Sequence, residues 1–283
     1  MTKSRKLKKD NRSLLQRFAA APHIAWSVLF IIAPLIFVVY YAFTDKSGAF
    51  TVANVAEFFT PTYLKIFGRS VRMSLIATAI CLLIGYPIAY FISRCKPKTQ
   101  RILTLLLMLP MWMNFLIRTY AIMVLIQDTG IINSFLGNFG IGPIHMLGTE
   151  GAVILGMVYD YLPYMILPIY SVMAKLDNRL IEAAGDLGCN GFNVLRKVIL
   201  PLSLSGVISG VTMVLVPSIS TFYISQKLGG LDTLMIGDVI EQQYNLNNYN
   251  MTASLSLILM LILLVGLAIV NRYSDQDEGG MLP

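Results

Sequence analysis

Residues 252–270 have the sequence TASLSLILMLILLVGLAIV, which contains no charged side chain. Coiled as an α-helix with a rise of about 1.5 Å per residue, such a stretch is about 29 Å long. This length matches the hydrocarbon core of a bilayer, which is about 30 Å thick and in which a helix satisfies its own backbone hydrogen bonds. The stretch therefore predicts a membrane-spanning helix.

Similar apolar runs precede this stretch, at residues 22–43, 71–93, 102–127, 152–174 and 202–225. The whole chain is 56% hydrophobic and only 13% charged, whereas a soluble domain carries roughly 25% charged residues. Prolines lie inside several runs, and a membrane bundle tolerates the resulting kinks because neighbouring groups satisfy the freed carbonyls. We therefore predict an all-α, polytopic membrane protein with six transmembrane helices within residues 21–272.

The basic residues are distributed unevenly between the segments that connect these runs. If the N-terminus is inside the cell, 16 of the 22 lysines and arginines lie on the inner side, 5 lie outside, and Arg118 falls within a run. Inner loops of membrane proteins carry an excess of lysine and arginine. The sequence therefore predicts a multi-pass protein of the cell membrane with both termini cytoplasmic: a basic tail at residues 1–20 and a C-terminal tail at residues 273–283.

Side chains that hold metals or perform covalent chemistry are scarce. The three cysteines form no CxxC pair, and the two histidines form no HExxH motif. No GxxxxGK[ST] sequence is present, so any ATP hydrolysis must be performed by another chain. We expect no catalytic residue and no metal site here, and we attribute the net charge of +7 to membrane topology rather than to nucleic-acid binding.

The predicted cytoplasmic connector at residues 177–201 is longer than a turn between two helices requires. It contains LIEAAGDLG at residues 180–188 and VILP at residues 198–201. Asp177 can cap a helix that begins at the next residue. Alanines favour a helical backbone, and Gly188 suits a left-handed helix end. The pattern predicts a short helix on the membrane surface that is available to a soluble partner.

This connector resembles the EAA loop of ABC importer permeases, in which Glu-Ala-Ala, three residues, Gly and nine further residues precede Ile-x-Leu-Pro. The matching positions are Glu182, Ala183, Ala184, Gly188, Leu200 and Pro201, and Val198 stands where the family has isoleucine. The resemblance implies the architecture of a type I ABC importer permease. It also implies that the short helix docks on a cytoplasmic ATPase, with Glu182 as the principal contact.

Other segments resemble the first permease subunit of spermidine/putrescine importers: NFLIR at residues 114–118, KLD at 175–177 and FYIS at 222–225. The resemblance implies a polyamine substrate and three kinds of partner. These are a second permease subunit, two copies of an ATPase that binds ATP and magnesium, and an extracytoplasmic polyamine-binding protein. The chain itself is expected to bind no cofactor. Importers of iron, thiamine, opines or sulfate share the loop and remain alternatives, as does, more distantly, a secondary transporter working alone.

A path for polyamines should offer carboxylates and aromatic faces to ammonium groups. Asp160 lies near the middle of the fourth run, where a charge is costly and indicates function. The candidates for the path are Asp160, Tyr159, Tyr161, Tyr164, Trp112 and Asn114. A structural pair between Asp160 and Arg118 is the alternative, and the sequence leaves both open. For Arg118 itself we favour a structural role, with its side chain extended to the membrane surface.

The outer half of the fifth run contains residues that interrupt a regular helix. The candidate gate residues are Pro217, Ser218, Phe222 and Tyr223, and an interfacial aromatic belt is the alternative role for the last two. In the same run, Gly206 and Gly210 form a small-residue face that permits close helix approach. That face suits either a contact between two permease subunits or packing within this chain.

Overall fold

The computed structural model describes residues 22–279, which form helices and loops without a strand. The predicted tail at residues 1–20 and the last four residues of the C-terminal tail lie outside this range. Long apolar helices are Pro22–Ala42 (α1), Pro61–Arg94 (α3), Glu150–Met173 (α7) and Tyr249–Gly279 (α13), and the segment Phe115–Gly137 also has the length and composition of a span. A sixth candidate span is a bent pair of helices, Gly191–Leu202 (α9) and Leu204–Ser220 (α10).

Shorter helices connect these spans or, within residues 115–137, make up one of them. They are Ala53–Phe58 (α2), Pro97–Trp112 (α4), Phe115–Ile126 (α5), Ile131–Gly137 (α6), Asn178–Asp186 (α8), Tyr223–Leu228 (α11) and Ile236–Asn245 (α12). The helix α8 lies in the connector between α7 and α9, where the sequence predicts it. The helices α11 and α12 lie in the loop that joins α10 to α13.

The core of the described bundle is formed by α3, α7 and α10. Methionines fill much of it: Met73 on α3 and Met157 and Met165 on α7 are fully buried. Flexible, unbranched thioether side chains pack well into irregular gaps between kinked helices, and α7 contains both Pro163 and Pro168. Much of the surface of the other spans is apolar and exposed, which is the composition expected of helices that face lipid.

The glycine face of α10 packs within this chain. A Cβ atom added to Gly206 would lie 3.0 Å from the carbonyl oxygen of Pro168, and one added to Gly210 would lie 3.0 Å from that of Met165. Both carbonyls belong to α7. The sequence left open whether this face contacts a second permease subunit or packs within this chain. The structure shows packing within the chain, against α7.

The second predicted span, at residues 71–93, is longer than expected because α3 begins at Pro61, and two other predicted spans are interrupted. The prediction of an unbroken helix over residues 102–127 is wrong, because α4 ends at Trp112 and α5 begins at Phe115. Pro110 deprives the last turn of α4 of a backbone donor, and Asn114 starts a new helix. The prediction that the fifth span covers residues 202–225 is also wrong. The helix α10 ends at Ser220, Thr221 is extended, and a separate helix begins at Tyr223.

Candidate functional site

The connector helix α8 begins through a side-chain cap. The carboxylate Oδ1 of Asp177 accepts a hydrogen bond from the backbone N–H of Arg179 at 3.0 Å. This bond satisfies one of the backbone donors that a helix N-terminus leaves unpaired. The predicted cap and the predicted start of the helix are both present in the structure.

The helix ends in the left-handed conformation that the sequence predicts at Gly188, whose φ is +82°. Two backbone hydrogen bonds close this end: Gly188 N–H donates to the carbonyl of Gly185 at 2.8 Å, and Cys189 N–H donates to that of Ala184 at 3.1 Å. This pair of bonds is a Schellman motif. Because both ends are satisfied locally, α8 is fixed as a short, well-defined helix.

The two alanines of the motif face opposite environments. Ala184 is buried at 7% exposure and belongs to the main core. Ala183 and Glu182 are exposed, and Leu187 is 85% exposed. One side of α8 therefore anchors the helix to the membrane domain, while the opposite side presents a carboxylate, a small side chain and an apolar side chain to the surroundings.

The Leu-Pro end of the motif lies at an elbow. Leu200 and Pro201 lie in the last turn of α9, which meets α10 at a bend of 69°. Pro201 therefore precedes the bend and does not open the span that follows. The hydroxyl of Ser203, at the bend, lies 3.0 Å from that of Tyr86 on α3. Sequence reasoning missed this contact because no local pattern relates a serine after a proline to a tyrosine on another helix.

The buried charges of the bundle pair with each other. Arg118 Nε on α5 lies 3.3 Å from Asp160 Oδ1 on α7, and the two side chains are 5% and 0% exposed. The guanidinium also lies over the ring of Phe115, at 5.8 Å from the ring centre. The pair that the sequence left as an alternative is therefore present. The expectation that Arg118 extends to the membrane surface is wrong, because packing of α5 against α7 encloses it.

The tyrosines predicted near Asp160 divide into two groups. Tyr161 and Tyr164 make an edge-to-face contact with ring centres 6.4 Å apart, and the hydroxyl of Tyr161 lies 3.5 Å from the carbonyl of Pro217. Tyr159 is 44% exposed, since the next residue along a helix is rotated by about 100°. The structure thus brings Asp160 and Tyr161 to the inner side of α7 and leaves Tyr159 on its surface.

Trp112 and Asn114 flank the break between α4 and α5. Asn114 Oδ1 accepts a hydrogen bond from Leu116 N–H at 2.8 Å and caps α5. Trp112 is 71% exposed. Neither side chain contacts Asp160 in this structure. The capping signal of Asn114 before an apolar segment was readable in the sequence, and it explains where the helix restarts.

The predicted gate residues lie where α10 gives way to α11. Ser218 is buried and its hydroxyl donates to the carbonyl of Leu215 at 2.9 Å, whereas Phe222 is 42% exposed. The ring of Tyr223 lies 6.0 Å from that of Phe115 and 6.2 Å from that of Tyr120. Through Phe115 this aromatic cluster reaches Arg118 and so adjoins the buried ion pair.

The loop between α10 and α13 is anchored by polar groups that the sequence did not single out. Asp238 accepts hydrogen bonds from Met235 N–H at 2.6 Å and from the Ser225 hydroxyl at 2.8 Å. Burial nevertheless raises the pKa of Asp238 from 3.8 to about 6. The hydroxyl of Ser70 on α3 accepts a hydrogen bond from Ile236 N–H at 2.7 Å. These bonds hold α11 and α12 against the ends of the spans.

A largely apolar cavity of about 620 Å³ lies between α10, α12 and α13. Phe222 and Ser220 line it, together with Glu241 and Tyr244 at the loop. Asp160 does not line this cavity. Among residues 22–279, no group of three or more histidine, cysteine or carboxylate side chains is arranged to hold a metal ion.

Residues 82–276 match the family of binding-protein-dependent transport system inner membrane components. The chain is 40% identical over 261 residues to the spermidine/putrescine transport system permease protein PotB of Haemophilus influenzae, covering 88% of this chain and 91% of that protein. It is 35% identical over 260 residues to PotB of Escherichia coli K12, covering 89% and 94% of the two chains.

Solved structures share the fold. A chain of a bacterial ABC transporter involved in the import of the acidic polysaccharide alginate superposes with a TM-score of 0.75 at 14% identity, covering 93% of this chain and 95% of that one. A chain of the MetNI methionine ABC transporter gives a TM-score of 0.59 at 15% identity, covering 76% and 95%. At these identities the likeness concerns the fold.

Proposed function

The chain belongs to the family of binding-protein-dependent transport system inner membrane components, and on that premise we propose that it is the membrane-spanning permease subunit of an ATP-driven importer of polyamines such as spermidine and putrescine. The observation that carries the proposal is the helix α8, capped at both ends and exposed on one side, within a chain 35–40% identical to polyamine permeases. A multi-pass membrane chain of this kind transports its solute together with other subunits of the importer.

We propose that α8 is the docking helix for a cytoplasmic ATPase, so that both chain termini lie in the cytoplasm. Glu182 and Ala183 contact the ATPase, Ala184 and Gly188 fix the position and end of the helix, and Leu200 and Pro201 transmit its movement to α10. Because α9 and α10 meet at an elbow, a push on α8 can rotate the span. ATP and magnesium bind to two copies of the partner ATPase, and this chain binds no cofactor.

The remaining partners complete a path through the membrane. A second permease subunit forms the other half of the path, and an extracytoplasmic binding protein delivers the polyamine. Within this chain, Asp160 with Tyr161 and Tyr164 provides a carboxylate and ring faces that attract ammonium groups. Phe222 and Tyr223, after the broken end of α10, act with Pro217 and Ser218 as the gate on the outer side.

The coupling role is tested with Glu182→Lys in the complete importer reconstituted in proteoliposomes. Reversing this exposed charge should abolish ATP-dependent uptake and co-purification of the ATPase, while the chain still inserts in the membrane. The matched control is Glu57→Lys, which reverses an exposed charge on α2 and should leave uptake unchanged. Wild-type uptake by Glu182→Lys would contradict docking through this residue.

The substrate is tested by uptake of radiolabelled spermidine in the same vesicles, with unlabelled putrescine, thiamine, sulfate or ferric iron as competitors. We expect uptake that depends on ATP and competition by putrescine alone. Absence of spermidine uptake, together with ATP-dependent uptake of radiolabelled thiamine, sulfate or ferric iron, would keep the class of transporter and change its cargo. Labelling of Ala183→Cys with an impermeant thiol reagent, in a background lacking the native cysteines, tests the orientation and should succeed only from the cytoplasmic side.

A further inference from the structure

The buried ion pair between α5 and α7 is close but poorly satisfied. Arg118 Nε lies 3.3 Å from Asp160 Oδ1, yet among the described residues neither carboxylate oxygen of Asp160 has a hydrogen-bond partner. The Nε and Nη1 atoms of Arg118 also lack one. Buried carboxylates and guanidinium groups ordinarily form several hydrogen bonds. This pair therefore neutralises the charges without the directional bonds that would lock the two side chains together.

Arg118 is carried by a helix that a break in the helical backbone separates from its neighbour in sequence. It lies in the first turn of α5, directly after the non-helical residues Met113 and Asn114, which separate α5 from α4. Breaks of this kind absorb the backbone rotations of a conformational change. The ring of Phe115 lies 5.8 Å from the guanidinium and offers it a second favourable contact. Arg118 can thus leave Asp160 without losing every partner.

Asp160 has no such freedom, because it lies in the middle of α7, the most buried of the candidate spans in this bundle. A carboxylate at this depth that loses its counter-ion is strongly destabilised. Departure of Arg118 therefore leaves a buried charge that another cation, or a proton, must neutralise. The hydroxyl of Tyr161, the residue that follows Asp160, lies 3.5 Å from the carbonyl of Pro217, and both oxygens can accept hydrogen bonds from an ammonium group.

Resting on the proposed function and deepening it, we propose that Arg118 is a tethered counter-ion that exchanges with an ammonium group of the substrate at Asp160. In the conformation described here the guanidinium occupies the cation position. During transport a substrate ammonium takes that position, and Arg118 withdraws from Asp160 while keeping its contact with the ring of Phe115. The exchange makes opening of the bundle at α5 depend on a cationic solute, and neutral or anionic solutes do not satisfy Asp160.

The test compares two pairs of neutralising substitutions in the complete importer. Arg118→Gln combined with Asp160→Asn removes both buried charges, and such replacements of buried pairs commonly preserve folding. Arg72→Gln combined with Glu150→Gln is the matched control, because this pair also joins α7 to a neighbouring helix, at 2.6 Å, but is exposed. We expect the first double variant to raise the KM for spermidine uptake at least tenfold, and the control to keep it within twofold.

Two further variants keep the proposal testable if the first double variant does not assemble with its ATPase. Asp160→Glu preserves the carboxylate and should keep the KM within about threefold. Arg118→Gln alone leaves Asp160 without its tethered cation. Spermidine should therefore raise the thermal unfolding midpoint of this variant by more than it raises that of wild type. A purely structural pair predicts no such dependence on spermidine.

The outcomes separate the two proposals. If wild type takes up spermidine and the Arg118→Gln, Asp160→Asn double variant has the wild-type KM, the exchange is overturned and the transport function stands. An equal effect of spermidine on the unfolding midpoints of wild type and Arg118→Gln also overturns the exchange. If wild type takes up no polyamine, both the proposed substrate and the exchange are overturned.

Discussion

The backbone N–H of Cys189 donates to the carbonyl oxygen of Ala184 at 3.1 Å across the left-handed residue Gly188. This bond ends the exposed helix α8 one turn before α9 begins. It therefore sets both the length of the proposed docking helix and the direction in which the chain leaves it. A partner that presses on α8 meets a helix whose end cannot extend or unwind without breaking this closure.

The helix end gives a test with an internal control. Gly188→Ala places a Cβ atom on a residue with φ of +82°, which costs about 1 kcal/mol. Gly185→Ala lies within the helix, with open space around the added methyl group, and should stabilise α8 by about 1 kcal/mol. Amide hydrogen exchange over residues 178–189 measures the stability of α8 in each variant. Compared with wild type, we expect faster exchange in Gly188→Ala and slower exchange in Gly185→Ala. Equal exchange in the two variants would contradict the helix end described here.

The two alanines of the motif should respond differently to enlargement. Ala184→Leu crowds the core and should destabilise the protein by about 1–3 kcal/mol, seen as a lower thermal unfolding midpoint in detergent. Ala183→Leu adds an exposed side chain and should leave that midpoint unchanged while weakening co-purification of the ATPase. A midpoint that falls equally in both variants would show that the two alanines do not face different environments.

The contact between α10 and α7 depends on the absence of side chains at two positions. Gly210→Leu forces α10 away from the α7 backbone, which a Cβ atom would already approach to 3.0 Å. We expect the free energy of unfolding to fall by about 1–3 kcal/mol or more. Ser209→Leu, one residue earlier and exposed, is the control and should leave the unfolding midpoint unchanged. A stable Gly210→Leu variant would argue that this face of α10 does not pack closely within the chain.

The buried carboxylate of Asp238 predicts a dependence of stability on pH. Burial is the main cause that raises its folded-state pKa from 3.8 to about 6, and the charge of Glu241 acts in the same direction. The folded protein then holds a proton that the unfolded chain releases between these values. The contribution of Asp238 to stability is therefore greatest below about pH 4 and falls as the pH rises through about 6, by on the order of 3 kcal/mol.

The measurement is the unfolding midpoint of wild type, Asp238→Asn and Asp232→Asn between pH 4 and pH 8. Wild type and the control Asp232→Asn should share this decline, because Asp232 is exposed and its replacement leaves the buried carboxylate in place. Asp238→Asn should lack the part of the decline that falls between pH 4 and pH 6. An identical pH profile for wild type and both variants would rule out Asp238 as the source of the decline in stability.

The features that sequence analysis predicted correctly are those with local causes. The cap at Asp177, the left-handed glycine at Gly188 and the helix between them follow from residues at most eleven positions apart. The break before α5 was missed, although Asn114 is a common helix cap. The apolar residues on both sides of the break continue without interruption, and in lipid a continuous apolar run favours one helix.

The arrangement of the candidate path depends on contacts between helices, and the sequence predicted it only in part. Asp160 was recognisable because a carboxylate in an apolar run is costly wherever the helix lies. The sequence named Arg118 as a possible counter-ion but did not decide the pairing, since Arg118 is on another helix and equally suited a surface position by composition. Tyr159 and Tyr161 flank Asp160 in the sequence. Only the rotation of α7 within the bundle places Tyr159 on the surface and Tyr161 in the interior.

The sequence by itself determined that this chain crosses a membrane several times and carries a capped helix between two spans, because run length and helix capping act between residues that are near each other along the chain. Only the tertiary structure decided that Arg118 meets Asp160, that Ser203 meets Tyr86, and that the glycines of α10 lie against α7. These contacts depend on the angle and register of whole helices. Packing across the entire bundle fixes both, and no short stretch of sequence encodes them.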